Sequence, residues 1–271
     1  MAAPAQSEQD VDETLASRLP ASLKNGTVRI AVTADLPKVN FTADGTQRGF
    51  EPDLITAAAQ RLGLTVTWVK SNNPLAELQS GKADGMATFL NDTKEREANG
   101  GAWVDYLQAG VSAVVAKCNP QSITSDTDLC GKKVAAATGT VQLAQLTTTK
   151  TAGSILKQCK AAGKPAPKAV QAQTNEAAVT ALSAGRADAL VIDTPIATAI
   201  AQSANGALTI GYTEPVEGQP IGVFVLDTDL GKALQAAYQS LVDDGTYGQI
   251  LDGYAVDTGR LKTITVNGAT R

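Results

Sequence analysis

Apolar runs alternate with amphipathic segments through the first part of the chain. Strands are predicted at Thr27–Thr33, Leu64–Val69 and Gly85–Leu90, where β-branched and other apolar residues are concentrated. Amphipathic helices are predicted between them, at Phe50–Leu62 and Leu75–Ser80. The order β-α-β-α-β is typical of a parallel sheet covered by helices, so the pattern predicts the α/β class.

The same alternation continues through the rest of the chain. Further strands are predicted at Val111–Ala116, Lys132–Ala137, Lys168–Gln173, Ala187–Ile192 and Ile221–Leu226. Further helices are predicted up to Leu146 and at Glu176–Ala184, Asp229–Asp243 and Tyr247–Tyr254. The second part of the chain therefore has its own set of strands and helices.

A short internal repeat supports a two-fold organisation. Leu78–Asp84 (Leu-Gln-Ser-Gly-Lys-Ala-Asp) resembles Leu182–Asp188 (Leu-Ser-Ala-Gly-Arg-Ala-Asp) at an offset of 104 residues. The first strands of the two halves follow Gly26 and Gly131, at the similar offset of 105 residues. These matching offsets predict two lobes of similar topology, placed face to face.

The predicted domain boundaries follow from this repeat. Lobe 1 is expected to comprise residues 1–112 and 222–271, and lobe 2 residues 113–221. Two strands, near 110–117 and 219–226, would then cross between the lobes and form a hinge beside a cleft. The 271-residue chain is long enough for two lobes of ordinary domain size.

Composition excludes several classes of function. Hydrophobic residues make up 43% of the chain, and the net charge of −4 without basic clusters argues against a nucleic-acid surface. The absence of histidine excludes Ser-His-Asp and Cys-His catalysis and removes the commonest metal ligand. No apolar run reaches about 18 residues, so no membrane span is predicted. We expect neither a cofactor nor a metal site.

The strongest candidate for binding chemistry lies where the third predicted strand ends. Thr88 and Asn91 stand at this carboxyl end, the edge at which an open α/β sheet usually binds its ligand. Asp92 is predicted to cap the following helix, with Glu95 at capping-box spacing. Arg96 then falls in the first helical turn, and we expect its guanidinium to reach back and bind a carboxylate.

Six motifs, in this order, resemble those of one known family. They are Gly49-Phe50-Glu51-x-Asp53-Leu54, Leu78–Asp84, Thr93-Lys-Glu-Arg96, Cys130-Gly-Lys-Lys-Val134 with Gly139-Thr140, Gly185-Arg-Ala-Asp188 with Asp193, and Asp244-Gly-Thr-Tyr247. The chain resembles the polar amino-acid-binding family of extracytoplasmic solute-binding proteins, the receptors of ABC importers, from Gly26 to Tyr254. The resemblance implies a two-lobe, type II periplasmic-binding fold with two parallel-core sheets joined by a two-strand hinge.

The resemblance also implies which residues bind the ligand. Arg96 would clamp the α-carboxylate of an amino acid, and Asp193 would pair with its ammonium group. Thr88 and Asn91 match or neighbour polar ligand-binding positions of the family. The loop Gly139-Thr140-Val141 would present backbone N–H groups to the carboxylate, although Val141 lacks the hydroxyl that the family has there.

Two departures from the family pattern bear on ligand identity. Lys38 falls near the place where an aromatic ring of the family covers the ligand, and it could instead pair with a distal carboxylate of an acidic ligand. Phe89 stands where Gly or Ser is usual, and it could supply the missing cover. For Arg96 and Asp193 the alternatives are a solvated ion pair and a helix cap, respectively.

The remaining expectations concern the cysteines and the cellular context. A Cys130–Cys159 disulfide is preferred, as in the actinobacterial versions that the Cys130-Gly-Lys form resembles, although a Cys118–Cys130 pairing stays open. The resemblance implies an exported monomer, lipid-anchored at the cell surface, that partners a membrane permease and binds no nucleic acid.

Two rival functions are compatible with the same fold. A cyclohexadienyl or arogenate dehydratase-like enzyme would need an acid and a lysine, which Lys38 with Glu51 or Asp193 could imitate. Asp35 and Glu51 are the paired-carboxylate candidates, with a turn and a helix start as their preferred roles. A sensor module of a receptor is the other rival.

Overall fold

A computed structural model of the chain describes residues 9–23, 26–33, 39–43, 45–214, 220–256 and 258–270. The chain divides into two compact units, unit 1 (residues 1–108 and 218–271) and unit 2 (residues 109–217). Within the described ranges, none of the helices combines the length and the apolar character needed to cross a bilayer.

The elements are numbered in chain order. The strands are β1 Thr27–Val32, β2 Phe41–Ala43, β3 Thr46–Arg48, β4 Thr65–Lys70, β5 Gly85–Asn91, β6 Ala102–Gln108, β7 Val111–Ala116, β8 Lys133–Ala137, β9 Lys168–Ala172, β10 Ala189–Asp193, β11 Leu208–Thr213, β12 Pro220–Val225 and β13 Arg260–Val266. The helices are α1 Glu13–Ala16, α2 Phe50–Arg61, α3 Pro74–Gln79, α4 Lys94–Glu97, α5 Val141–Thr147, α6 Ile155–Ala161, α7 Asn175–Ser183, α8 Thr194–Ser203, α9 Thr228–Asp243 and α10 Thr246–Gly253.

Unit 1 is built on a six-stranded sheet in the order β13-β6-β12-β5-β1-β4. Strand β1 pairs in parallel with both β4 and β5, whereas β12, β6 and β13 add antiparallel strands on the other side. Unit 2 is built on a five-stranded sheet in the order β11-β7-β10-β8-β9, in which β8 pairs in parallel with β9 and β10. Each sheet thus has a three-stranded parallel core, as predicted for the α/β class.

The internal repeat has the same structural role in both units. Asp84 accepts a hydrogen bond from the backbone N–H of Arg29 at 2.8 Å, and Asp188 accepts one from Lys133 at 2.8 Å. The backbone N–H groups of the two aspartates return bonds of 2.8 and 2.7 Å to the carbonyls of the same partners. The repeated Gly-Lys/Arg-Ala-Asp sequence therefore joins the third strand of each parallel core to the first.

The core of unit 2 includes the predicted disulfide. Cys130 and Cys159 are bonded, with their Cα atoms 5.5 Å apart, and Cys159 is fully buried beside Leu129 and Ile155. Cys118 is exposed and free. The preferred pairing is therefore confirmed, and the Cys118–Cys130 alternative is wrong.

Candidate functional site

The guanidinium of Arg96 is held at the carboxyl end of β5. Thr93 caps α4 by accepting a hydrogen bond from the Arg96 backbone N–H at 3.2 Å, and Arg96 Nη1 donates to the backbone carbonyl of Asn91. The guanidinium carbon lies 5.9 Å from the centroid of the Trp103 ring, within the range of a cation–π contact. The half-buried side chain therefore reaches back toward the strand end, as Arg96 was predicted to do.

The predicted cap of this helix is wrong by one residue. Asp92 does not cap α4; its side chain turns inward and is 2% exposed. Burial, together with the charges of Asp105 and Glu97, raises the pKa of Asp92 to about 8. Thr93 takes the capping position because its extended backbone directs the hydroxyl toward the first turn.

An unpartnered hydroxyl lies three residues before the end of β5. Thr88 Oγ1 is buried, and no described residue hydrogen-bonds to it. Buried hydroxyls in native proteins nearly always have a partner, so this atom is a natural acceptor or donor for a bound ligand. Asn91, the last residue of β5, is 4% exposed and pairs in the sheet with Ile221.

Phe89 lies in the core of unit 1. Its backbone adopts a left-handed φ of 51°, its side chain is 3% exposed, and its ring packs edge-on against Phe50 with centroids 5.7 Å apart. The unusual backbone is held by a 3.0 Å hydrogen bond from the Phe89 N–H to Glu51 Oε1. The position fits core packing, and the predicted role of Phe89 as a ligand cover stays a prediction.

Glu51 is fully buried at the start of α2 and collects three donors. Asn40 Nδ2 donates to Oε2 at 2.6 Å, while the Phe89 N–H and the Tyr106 hydroxyl donate to Oε1, the latter at 2.7 Å. Desolvation raises the pKa of Glu51, and these hydrogen bonds oppose the rise. The carboxylate therefore ties the start of α2 to β5 and β6 from inside the unit.

Asp193 occupies the corresponding strand end in unit 2. It closes β10, is 5% exposed, and accepts a 2.9 Å hydrogen bond on Oδ1 from Nε2 of Gln142, which is 2% exposed. Asp193 stands at the N-cap position of α8, but its side chain makes no capping hydrogen bond. The predicted N-cap position is therefore confirmed, although the cap is made without the side chain, whose Oδ1 is oriented by Gln142.

The Gly139-Thr140-Val141 loop leads into α5. Thr140 Oγ1 donates to the Ala137 carbonyl at 2.7 Å and accepts from the Leu143 N–H at 3.2 Å, so the hydroxyl caps the helix. Gly139 has a φ of 78°, which favours glycine there. Because the Thr140 hydroxyl is used in the cap, we expect this loop to contact a ligand through its backbone N–H groups. The ligand-binding roles of Thr140 and Val141 stay predictions.

The structure thus forms two groups of candidate residues. Unit 1 brings together Thr88, Phe89, Asn91 and Arg96 on one strand–helix segment, and unit 2 brings together Thr140, Val141 and Asp193. Lys38 and Asp35 lie outside the described residues.

Comparison with known proteins identifies the family. Residues 28–257 match the profile of the bacterial extracellular solute-binding proteins, family 3, which is most of the chain. The chain belongs to this family. The curated arginine-binding protein ArgT of Corynebacterium glutamicum is 30% identical over 261 residues, covering 95% of this chain and 81% of that protein.

Solved structures show the same relationship for this family 3 protein. An ancestral arginine-binding protein bound to arginine has a TM-score of 0.71 and 30% identity, covering 84% of this chain and 98% of that one. An ancestral amino acid-binding protein described as a precursor of cyclohexadienyl dehydratase has a TM-score of 0.68 and 27% identity, covering 89% and 99%. The predicted family and the type II fold are confirmed.

Sequence reasoning missed two residues that contact the candidate site residues. Gln142, which orients Asp193, directly follows the Gly139-Thr140-Val141 motif, and a long polar residue in a helix's first turn was an available signal. Trp103, in β6, is 3% exposed and lies beneath the Arg96 guanidinium. No sequence signal joins Trp103 to Arg96, because the contact depends on how β6 enters the sheet.

Proposed function

We propose that this family 3 protein binds a polar amino acid through its α-carboxylate and α-ammonium groups and delivers it to an ABC permease. The observation that supports this proposal most directly is the position of Arg96, whose guanidinium is held at the end of β5 by the Asn91 carbonyl and the Trp103 ring. The related arginine-binding proteins support an amino acid as the ligand.

The charges of the two candidate groups define the ligand class. A fixed guanidinium suits a planar carboxylate, which it can bind through two parallel hydrogen bonds. The buried Asp193 carboxylate suits an ammonium group, and Gln142 holds one of its oxygens in place. Burying either ligand charge costs several kcal/mol unless it is paired, so a ligand with both charges is favoured over one with a single charge.

Unit 1 supplies a further proposed contact. Thr88 Oγ1 is buried without a partner among the described residues, and we assign it a hydrogen bond to the ligand's polar backbone atoms. Asn91, Thr140, Val141 and the cover role of Phe89 are secondary contacts in this proposal. Lys38 is proposed to select for a distal carboxylate, so acidic ligands are included in the test.

Membership of the family supports a proposal for the cellular role. We propose an exported monomer, lipid-anchored at the cell surface, that acts as a binding protein and not as an enzyme. The three donors around Glu51 support this choice, because they occupy both oxygens of the carboxylate that an enzymatic role would use.

A ligand panel tests the proposal. Thermal shift is measured with L-arginine, L-histidine, L-glutamine and L-glutamate, and with L-argininamide and agmatine, which lack the carboxylate. We expect a stabilising shift for at least one amino acid, and no shift for an analogue of it that lacks the carboxylate. Equal stabilising shifts for L-arginine and L-argininamide would show that Arg96 does not select for a carboxylate. The absence of a shift with every amino acid would overturn the proposal.

A further inference from the structure

The C-terminal segment, residues 258–270, lies beyond the part of the chain that matches the family profile, which ends at residue 257. Its strand β13 pairs antiparallel with β6 and forms one edge of the unit 1 sheet. The segment therefore contacts the strand that carries Trp103, the ring beneath the Arg96 guanidinium.

The end of this segment is attached to that strand by both its backbone and its side chains. The Trp103 N–H donates to Asn267 Oδ1 at 2.8 Å, and the Asn267 N–H donates to the Trp103 carbonyl at 2.9 Å. The Gly268 N–H and the Thr265 hydroxyl both donate to Asp105 Oδ2 at 3.0 Å. Two of these hydrogen bonds hold the β6 backbone at Trp103, and the other two hold the side chain of Asp105, two residues further along the strand.

The segment also reaches the helix that carries Arg96. The Ala269 N–H donates to Glu97 Oε1 at 2.9 Å, and Glu97 Oε2 accepts from Lys94 at 2.7 Å. Glu97 is the neighbour of Arg96 and the last residue of α4. One short stretch, 267–269, thus contacts both the helix that carries the guanidinium and the strand beneath it.

We propose that the C-terminal segment is a positioning element for Arg96, because it holds α4 through Glu97 and holds the backbone of Trp103, against whose ring the guanidinium rests. This inference rests on the proposed role of Arg96 in carboxylate binding. The segment touches no ligand in this proposal; its effect is to reduce the freedom of the guanidinium before the ligand arrives.

Gly268 offers a specific perturbation of this contact. A Cβ atom at residue 268 would lie 2.5 Å from Thr265 Oγ1 and 2.6 Å from Asp105 Oδ2, too close for either to stay in place. Gly248→Ala is the matched control, because a Cβ at that position in α10 meets nothing within 4 Å. A chain ending at Val266 removes the 267–269 contacts altogether.

The binding arm compares L-arginine with L-argininamide by calorimetry. We expect Gly268→Ala and the shortened chain to bind L-arginine about tenfold or more weakly and to discriminate less against the amide, as a loosened charged hydrogen-bond pair would require. Gly248→Ala should match the unmodified chain. An unchanged affinity and acid-to-amide ratio in both variants, together with loss of binding in Arg96→Ala, would refute the inference and leave the proposed function intact.

A second arm needs no ligand. Trp68 and Trp103 are the two tryptophans of the chain, so Trp68→Phe leaves Trp103 as the sole reporter. We expect iodide to quench Trp103, now 3% exposed, markedly more in the shortened chain than in the full chain. Equal quenching would show that the segment does not hold the ring and would overturn the inference even if the ligand proved not to be arginine.

Discussion

Asp92→Asn is expected to stabilise the protein, and to do so more strongly as the pH rises. The Asp92 side chain is buried, and its carboxyl group lies beside the carboxylate of Glu97, with which only a protonated Asp92 can share a hydrogen bond. The nearby Ala269 N–H favours the anion slightly but donates to Glu97, and the charges of Asp105 and Glu97 disfavour it. The folded protein therefore favours the protonated form of Asp92.

The magnitude follows from linkage between protonation and folding. Folding raises the pKa of Asp92 from 3.8 to about 8, so the folded protein binds a proton that the unfolded chain has released. The stability that this bound proton gives the folded protein is fully present below pH 3.8 and is lost as the pH rises through about 8. At about 1.4 kcal/mol per pKa unit, the penalty is about 2 kcal/mol at pH 5 and about 5 kcal/mol at pH 8, a difference of about 3 kcal/mol.

Urea denaturation of the two proteins at pH 5 and pH 8 measures this difference. The free energy of unfolding of Asp92→Asn should exceed that of the unmodified protein by about 3 kcal/mol more at pH 8 than at pH 5. Glu95→Gln is the control, because it removes a charge from the exposed face of the same short helix. A difference that is independent of pH, or that reverses sign, would refute the assignment of Asp92 as a buried acid that the folded protein holds protonated.

Three further changes test other parts of the structure. Replacing both Cys130 and Cys159 with serine should lower the free energy of unfolding by about 3 kcal/mol, because the bond closes a loop across a separation of 29 residues; reductant should then have no further effect. Gln142→Ala should weaken amino-acid binding about tenfold in calorimetry with little change in melting temperature, because Asp193 loses its orienting hydrogen bond. Gly49→Ala should lower the free energy of unfolding by about 3 kcal/mol or more, because φ is 124° and a Cβ would lie 2.3 Å from the Val39 carbonyl oxygen. Gly45→Ala is the control, because its Cβ would meet nothing within 4 Å. In thermal melts of the two variants, Gly45→Ala should lose far less stability.

Much of the fold could be predicted from the sequence because the parallel cores carry a strong local signal. The apolar runs that became β1, β4 and β5 gave their positions to within a residue or two, and the repeated Gly-Lys/Arg-Ala-Asp pattern predicted that unit 2 would follow the same order. Each of these signals is contained within a few neighbouring residues, so none depends on distant partners.

Two of the strands that were missed, β6 and β13, depend on distant partners. Strand β6 contains Asp105 in the middle of its apolar pattern, and this carboxylate is buried only because Thr265 and Gly268 donate to it from 160 residues away or more. Strand β13 contains several polar residues, and it forms the edge of the sheet by pairing with β6. The hydrophobic pattern alone could not predict either strand.

The candidate site was predictable in part for the same reason. Asp193 directly follows a predicted apolar strand, and Arg96 falls in the first turn of the helix after another, so both positions near strand ends were evident from the sequence. The misplaced cap at Asp92 arose because two adjacent residues, Asp92 and Thr93, both favour capping, and only the buried acidic surroundings of Asp92 decide between them. The roles of Gln142 and Trp103 depend on contacts between elements.

Calorimetric titration of Arg96→Ala with L-arginine and L-glutamine tests the central claim most directly. Removing one partner of a desolvated charge pair should weaken binding by at least about 100-fold while the melting temperature of the ligand-free protein stays close to that of the unmodified chain. An affinity equal to that of the unmodified chain would contradict the assignment of Arg96 as the carboxylate-binding residue.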